Sequence, residues 1–257
     1  MKYLLVVFVG ILFANQAYSK SLKTKKKTGR FIKEVYQIDK KSKQKEGFYY
    51  KISMATKDTL VIGNYSNDQK IGLWAYNKMN GEKYLEFNYE TKSISSFYGD
   101  KLKSDSTYIL RDNKFILDKV DHPQIYLGFE DEPIFHISRS IKLPLGIVKN
   151  GITGRSIASF VVDEVGKIRD RKIEFSLSKE FDKKILDVIN KLTGDWVPAS
   201  KDGKFFSSKI ILILDVQSMS PSFEQTPMNE VKDLPYLWHT VFSYSSVIRK
   251  TRTIRKY

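Results

Sequence analysis

The sequence contains no cysteine and only three histidines. Disulfide scaffolds, thiolate zinc sites, cysteine nucleophiles and a lipid-modified N-terminal cysteine are therefore excluded. No histidine lies at metal-ligand spacing from another, and H-E-x-x-H, G-x-S-x-G and phosphate-loop motifs are absent. We predict no catalytic residue, no cofactor and no metal site, and hence a protein that is not an enzyme. An unrecognised hydrolase is the most distant alternative.

Long hydrophobic runs are also scarce. The only one, Tyr3–Phe13, follows Lys2 and precedes Ala17 and Ser19, small residues at the positions of a cleavage site. A membrane-spanning helix needs about 20 apolar residues. This pattern predicts that residues 1–19 are a cleaved secretory signal, which implies a periplasmic or cell-envelope location. An uncleaved membrane anchor is the alternative.

Positive charge is unevenly distributed. The formal net charge is +15, of which residues 20–45 carry +9 and residues 249–257 carry +5, whereas residues 46–248 are neutral. A nucleic-acid-binding domain normally has a basic face on its folded body, so we expect no nucleic acid partner. We predict that residues 20–45 are a flexible basic segment. Such flanks suit an anionic envelope surface or simply increase solubility.

Proline is rare, with seven residues and none before Pro123. Residues 46–120 instead contain short segments rich in aromatic and β-branched residues, separated by polar turns. Asn80-Gly81 is a strong hairpin signal because both turn positions favour positive φ. We predict an antiparallel β meander over residues 46–120.

The chain after residue 120 has mixed periodicity. Ile134, Ile137 and Ile141 recur at helical spacing, and a second apolar stripe predicts a helix over 179–192. Ser178 is its expected N-cap and Gly194 its expected C-terminal stop. A hairpin lies between the helices, and an apolar strand at 207–214 follows them. The predicted fold class is α+β, a β meander followed by a helix-hairpin-helix-strand domain.

Glycine and aromatic residues recur within the meander. The pattern Gly63-x-Tyr65, Gly72-x-Trp74-x-Tyr76, Gly81 resembles the MORN-type repeats of bacterial envelope proteins, in which each unit supplies a strand pair. Asn67-Asp68 departs from that pattern. The alternative is that these aromatic residues simply pack on a sheet face.

A second resemblance covers residues 121–216. The segments Gly154-x5-Phe160, Asp163-x2-Gly166, Trp196-x-Pro198-Ala199 and Gly203-Lys204, in that order, resemble the C-terminal domain of TonB. On that fold Gly166 would form a turn, and Trp196 would cap the core, with Pro198 setting its exit. Residues 217–257 would form a C-terminal extension with a basic tail.

The TonB resemblance implies a partner. In that family the closing strand is a sheet edge that accepts an extended segment of an outer-membrane transporter by strand addition. Lys209, Ile211 and Ile213 would line the edge. The aromatic run at 237–248 could pair with that edge or merely pack nearby. The alternative function is a structural or cell-wall-associated scaffold that binds other envelope proteins without a transport role.

The remaining polar residues are assigned structural roles. Glu130, Asp131 and Glu132 could hold a cation but are more simply a solvated acidic loop before Pro133. His136, beside two isoleucines, is expected to be a half-buried side chain.

Overall fold

A computed structural model describes residues 20–98, 106–219 and 236–245. The predicted signal at 1–19, residues 220–235 of the extension and the basic tail lie outside the described residues. In chain order the described elements are β1 (Leu22–Thr28), β2 (Ile32–Asp39), β3 (Lys45–Ser53), β4 (Thr59–Ser66), β5 (Gln69–Asn77), β6 (Lys83–Asn88), β7 (Ser93–Phe97), β8 (Ser106–Arg111), β9 (Lys114–Lys119), β10 (Ile125–Tyr126), α1 (Glu132–Ser140), α2 (Leu145–Lys149), β11 (Gly154–Val162), β12 (Ile168–Phe175), α3 (Lys179–Ile189), β13 (Trp196–Val197), β14 (Ala199–Lys201), β15 (Lys204–Phe206), β16 (Ser208–Ser218) and β17 (Leu237–Tyr244).

The first seven strands form one antiparallel sheet in sequence order. Residues 20–45 are not a separate flexible segment, because β1 pairs with β2 over seven residues, from Leu22 opposite Asp39 to Thr28 opposite Lys33. The backbone bonds of this ladder order a lysine-rich strand whose side chains all remain exposed. The sheet therefore begins at β1 rather than near residue 46.

The second large sheet has the strand order β12-β11-β16-β8-β9, and β17 also pairs with β16. The β8–β9 hairpin, expected to end the meander, belongs to this sheet instead. Ser208 and Lys209 of β16 pair with β8. Residues Ile211–Ser218 of β16 pair in parallel with β17. The two sheets are thus divided between Phe97 and Ser106.

The predicted α+β fold class is wrong. The structure is mostly β, with 55% strand, 12% helix and three helices in the part that is described, and its large antiparallel sheets do not form a helix-hairpin-helix TonB-type arrangement. The reason is long-range pairing. Strands β8, β9 and β17 extend the sheet that β11, β12 and β16 were expected to form with the helices.

Several local predictions correspond to observed elements. Helix α3 begins after Ser178, whose hydroxyl accepts a hydrogen bond from the Phe181 N–H at 3.2 Å. The helix ends at Ile189 with Asn190 as its C-cap, so Gly194 is not its stop.

The segment 125–135 connects the two sheets. Its residues Ile125, Leu127 and Phe129 are buried against Trp74 and Tyr76 of the first sheet. Helices α1 and α3 pack on the second sheet around buried Phe160, Phe181 and Ile185. The two cores meet where β10 pairs with β13, and a cleft lies at this junction.

Candidate functional site

The cleft has a volume of about 600 Å³ and lies between the first sheet, α1 and the chain that follows α3. This volume is in the range of small-molecule sites. The aromatic residues that line it are Tyr49, Tyr65, Trp74, Tyr76, Tyr126 and Trp196. The charged or titratable lining residues are Lys51, Lys70, Glu132, His136 and Lys191.

One wall contains a buried ion pair. Lys51 of β3 donates a hydrogen bond to Glu132 Oε1, and the Glu132 side chain is only 3% exposed. Glu132 Oε2 accepts from the Phe129 N–H at 3.3 Å, and His136 Nε2 lies 3.6 Å from Oε1. Burial tends to raise the pKa of Glu132, but the nearby His136 and the Lys51 ammonium outweigh it and hold the pKa below its usual value. Glu132 is therefore a buried carboxylate.

A second ion pair lies at the cleft. Lys70 Nζ lies 2.9 Å from Asp195 Oδ2, and the Tyr89 hydroxyl donates to the same oxygen at 3.0 Å. The ammonium also lies 4.8 Å from the Trp74 ring centroid. Burial lowers the pKa of Lys70, since Asp195 offsets that cost only in part. Burial tends to raise the pKa of Asp195, but Lys70 and Tyr89 outweigh it, so that pKa lies below its usual value.

Two glycines shape the cleft through close contacts. A Cβ at Gly63 would lie 2.2 Å from the Trp74 ring, and a Cβ at Gly194, which has φ +147°, would lie 2.4 Å from the Tyr126 ring. Trp74 itself is fixed by its indole N–H, which lies 3.2 Å from the carbonyl oxygens of both Asn64 and Ile71. Trp74 and Tyr126 are thus held in place by close contacts.

Trp196 is the one residue of the TonB-like motif that lines the cleft, alongside Tyr65, Trp74 and Tyr76 of the glycine-aromatic pattern. It is almost fully buried, packs against Tyr126 at a centroid distance of 5.2 Å, and stacks on Trp238 at 5.9 Å. Its indole N–H has no hydrogen-bond partner among the described residues. A Cβ at Gly166 would lie 2.2 Å from the Trp196 carbonyl oxygen, so the hairpin turn and the tryptophan contact each other.

The other predicted motif residues lie away from the cleft. Gly154 begins β11, Phe160 is buried in the second core, and Gly203 lies in the β14–β15 turn after Pro198. Asp163 Oδ1 accepts from the Lys167 N–H at 2.8 Å and closes the β11–β12 hairpin.

The expectation of an open edge at the closing strand is wrong. Lys209 pairs with Tyr108 on one side and Val161 on the other. Ile211 and Ile213 pair with β11 and also with β17. Since β16 has neighbours on both sides, a partner could reach these residues only by displacing a strand.

Sequence reasoning missed the two ion pairs. The sequence predicts that Glu132 lies in a solvated acidic loop, but its side chain is buried against Lys51. Lys51 and Glu132 are 81 positions apart, and Lys70 and Asp195 are 125 apart, so no local pattern joins them. The predicted half-buried His136 is 53% exposed at the rim of the cleft.

Comparison with known protein families, curated proteins and solved structures finds no match to this chain. Among the described residues, no group of His, Asp or Glu side chains is arranged to hold a metal ion. No helix in the described part of the chain is long and apolar enough to cross a membrane.

Proposed function

We propose that this chain is an exported, non-catalytic binding protein of the cell envelope whose cleft takes a small anionic ligand with a ring, such as an acidic saccharide. The observation that carries the proposal is the cleft itself, with aromatic walls and charged groups positioned by ion pairs. Ligand sites typically combine such walls with a few oriented polar groups. The proposed export rests on the apolar run and small residues of segment 1–19.

The charge of the cleft favours an anion. Lys51, Lys70 and Lys191 line it, whereas only Glu132 and the adjoining Asp195 oppose them. Lys191 is exposed and forms no ion pair with any described residue. One carboxylate on the ligand would balance the remaining positive charge, and hydrogen bonds between charged partners are the stronger kind.

The same geometry argues against catalysis. Glu132 is paired with Lys51, and Asp195 with Lys70. A general base must be free to take a proton near the operating pH, whereas the pKa of each of these carboxylates lies below its usual value. These groups would orient a ligand rather than transfer protons.

Calorimetric titration with glucuronate and with glucose tests the proposal. We expect glucuronate to bind and glucose to bind at least about tenfold more weakly, since one charge-assisted contact is lost. Lys191→Gln should reduce glucuronate affinity, whereas Lys183→Gln, an exposed lysine on α3 outside the cleft, should not. Equal binding of both sugars, or none of either, would contradict the proposed ligand class.

A second candidate function is favoured by the position of β17. This strand occupies the side of β16 that strand addition would use, over eight residue pairs. A segment of an outer-membrane transporter or of another envelope protein could replace β17 there, with backbone hydrogen bonds supplying the affinity.

Deleting residues 236–257 tests the second candidate. The shortened chain should recover transporters from solubilised outer membranes more efficiently than the full chain. Deletion of residues 246–257 alone, which keeps β17, is the matched control for the basic tail. If the full chain and both shortened chains recover transporters equally weakly, the scaffold function is favoured.

A further inference from the structure

The outer face of the first sheet, the face opposite the cleft, carries a cluster of exposed apolar side chains. Residues alternate between faces along a strand, and Tyr49, Trp74 and Tyr76 point to the cleft side. The outer face therefore carries Phe48, Ile62, Ile71 and Leu73, which are 36–52% exposed. Contiguous apolar surface of this kind marks an interaction site.

One row of cross-strand neighbours on this face is charged at both ends. The register joins, in strand order, Lys26, Val35, Tyr50, Ile62, Ala75 and Glu86, of which Val35 is already buried within the chain and adds no accessible surface. Cross-strand neighbours share a face, so the row begins with an exposed lysine and ends with a glutamate. Glu86 also lies 3.7 Å from Lys83, which is itself largely exposed.

We propose that the outer face binds the outer face of a second copy of this chain, giving a symmetric dimer. In this dimer the two sheets are stacked face to face, and the two-fold axis lies midway between them, parallel to the strands. Rotation about that axis makes the row of one copy run in the opposite direction to the row of the other. Lys26 of one copy then faces Glu86 of the other, and Tyr50 faces Ile62. A two-fold interface must be complementary to itself, and this row meets that condition.

The size of the face fits such a dimer. Strands β2–β5 are eight or nine residues long. With a rise of about 3.3 Å per residue and a strand spacing of about 4.8 Å, seven strands present roughly 750 Å². Stable interfaces bury about 800 Å² on each partner, and stacked sheets are a common way to bury apolar faces. This inference is independent of the proposed ligand cleft on the opposite face.

Sedimentation velocity of the purified protein between about 1 and 100 μM tests the dimer. We expect a dimer that Leu73→Lys weakens by at least about tenfold, since the substitution places a charge in an apolar interface. Leu145→Lys is the matched control, because Leu145 is 70% exposed on α2, outside the sheet. Circular dichroism confirms that each variant is folded.

Charge reversal tests the orientation. Lys26→Glu and Glu86→Lys should each weaken the dimer about fivefold, and the double variant should recover wild-type affinity. The two residues of one chain are five strand spacings apart, about 24 Å, beyond the Debye length of about 8 Å at physiological salt. Recovery of dimer affinity in the double variant would therefore show that Lys26 of one copy contacts Glu86 of the other.

Three results would overturn the proposal. The first is a monomer at every concentration, and the second is a dimer whose affinity Leu73→Lys leaves unchanged. The third is a monomer that sediments with phosphatidylglycerol vesicles and loses that binding on Leu73→Lys, which would assign the face to a lipid surface instead.

Discussion

Gly63 shows how a single residue shapes the cleft. It lies in β4 beneath the indole ring of Trp74, so close that any Cβ would overlap the ring. The ring in turn packs edge-on against Tyr65 at a centroid distance of 5.1 Å. The glycine-aromatic spacing noted in the sequence therefore reflects a steric requirement of this sheet.

Gly63→Ala should destabilise the protein by about 1–3 kcal/mol, the usual cost of overpacking a filled core. The added methyl group would displace Trp74 and disturb the cleft. Urea unfolding measures the effect, and Gly146→Ala is the control. A Cβ at Gly146 in α2 lies no closer than 3.6 Å to its nearest neighbour, Glu180 Oε2, so this variant should be unchanged or more stable by up to about 1 kcal/mol, because alanine lowers the entropy of the unfolded chain. A Gly63→Ala variant as stable as wild type would mean that Trp74 is not fixed by this contact.

Turn chemistry shows what single residues can and cannot predict. Asn80-Gly81 was expected to form a tight hairpin, but in that pair only Gly81 has positive φ, and a five-residue connection joins β5 to β6. Asn67-Asp68, which departs from the repeat pattern, has positive φ at both positions and makes the two-residue turn between β4 and β5. The residues of both pairs tolerate the left-handed region. The register of the flanking strands therefore determines which pair forms the two-residue turn.

At the scale of elements, β17 is held by a polar anchor. His239 Nε2 lies 2.8 Å from Asp215 Oδ2 on β16, and Arg155 on β11 binds both Asp215 oxygens at 2.7 and 2.8 Å. Asp215 thus joins three neighbouring strands. Trp238 adds an apolar contact by stacking on Trp196.

His239→Ala should loosen β17 without unfolding the sheet. Asp215 keeps both bonds to Arg155, so we expect a loss of about 1–2 kcal/mol, close to one hydrogen bond to a charged group. Hydrogen exchange should accelerate at the β17 amides, while those of β11 stay protected. Val241→Ala, a half-exposed position on the same strand, should leave exchange nearly unchanged. Equal protection of β17 in the His239 variant would show that apolar contacts alone hold the strand.

Local signals in the sequence predicted elements better than their assembly. The Ser178 cap and the apolar stripe located α3, because both act within one helix. The parallel pairing of β17 with β16 joins residues 26 positions apart, such as Ile211 and Leu237. The sequence was consistent with this pairing, but also with a segment that packs on the domain without pairing. Aromatic and β-branched residues are suited to both arrangements. The fold class was wrong for the same reason, since it depends on which strands pair.

At the scale of the whole molecule, paired carboxylates join distant parts of the chain. Glu132 binds Lys51 of the first sheet, Asp195 binds Lys70, and Asp215 binds Arg155. For each, burial tends to raise the pKa but the partners outweigh it, so the folded-state pKa lies below the usual value of 4.5 for Glu132 or 3.8 for the two aspartates. The ionised forms therefore stabilise the folded state.

That stabilisation is complete above the unfolded-state pKa values and is lost as the pH falls through the lower folded-state values. The free energy of unfolding should accordingly decrease as the pH is lowered from about 5 to about 2. Glu132→Gln should reduce stability near pH 7 by about 1.5–3 kcal/mol, and the difference from wild type should shrink in acid, where wild-type Glu132 is protonated as well. Asp187→Asn, which alters an exposed carboxylate on α3, serves as the control and should follow the wild-type curve. Guanidinium unfolding at a series of pH values measures all three proteins, and a constant Glu132→Gln difference across the range would show that the Lys51–Glu132 pair does not link the two sheets through its charge.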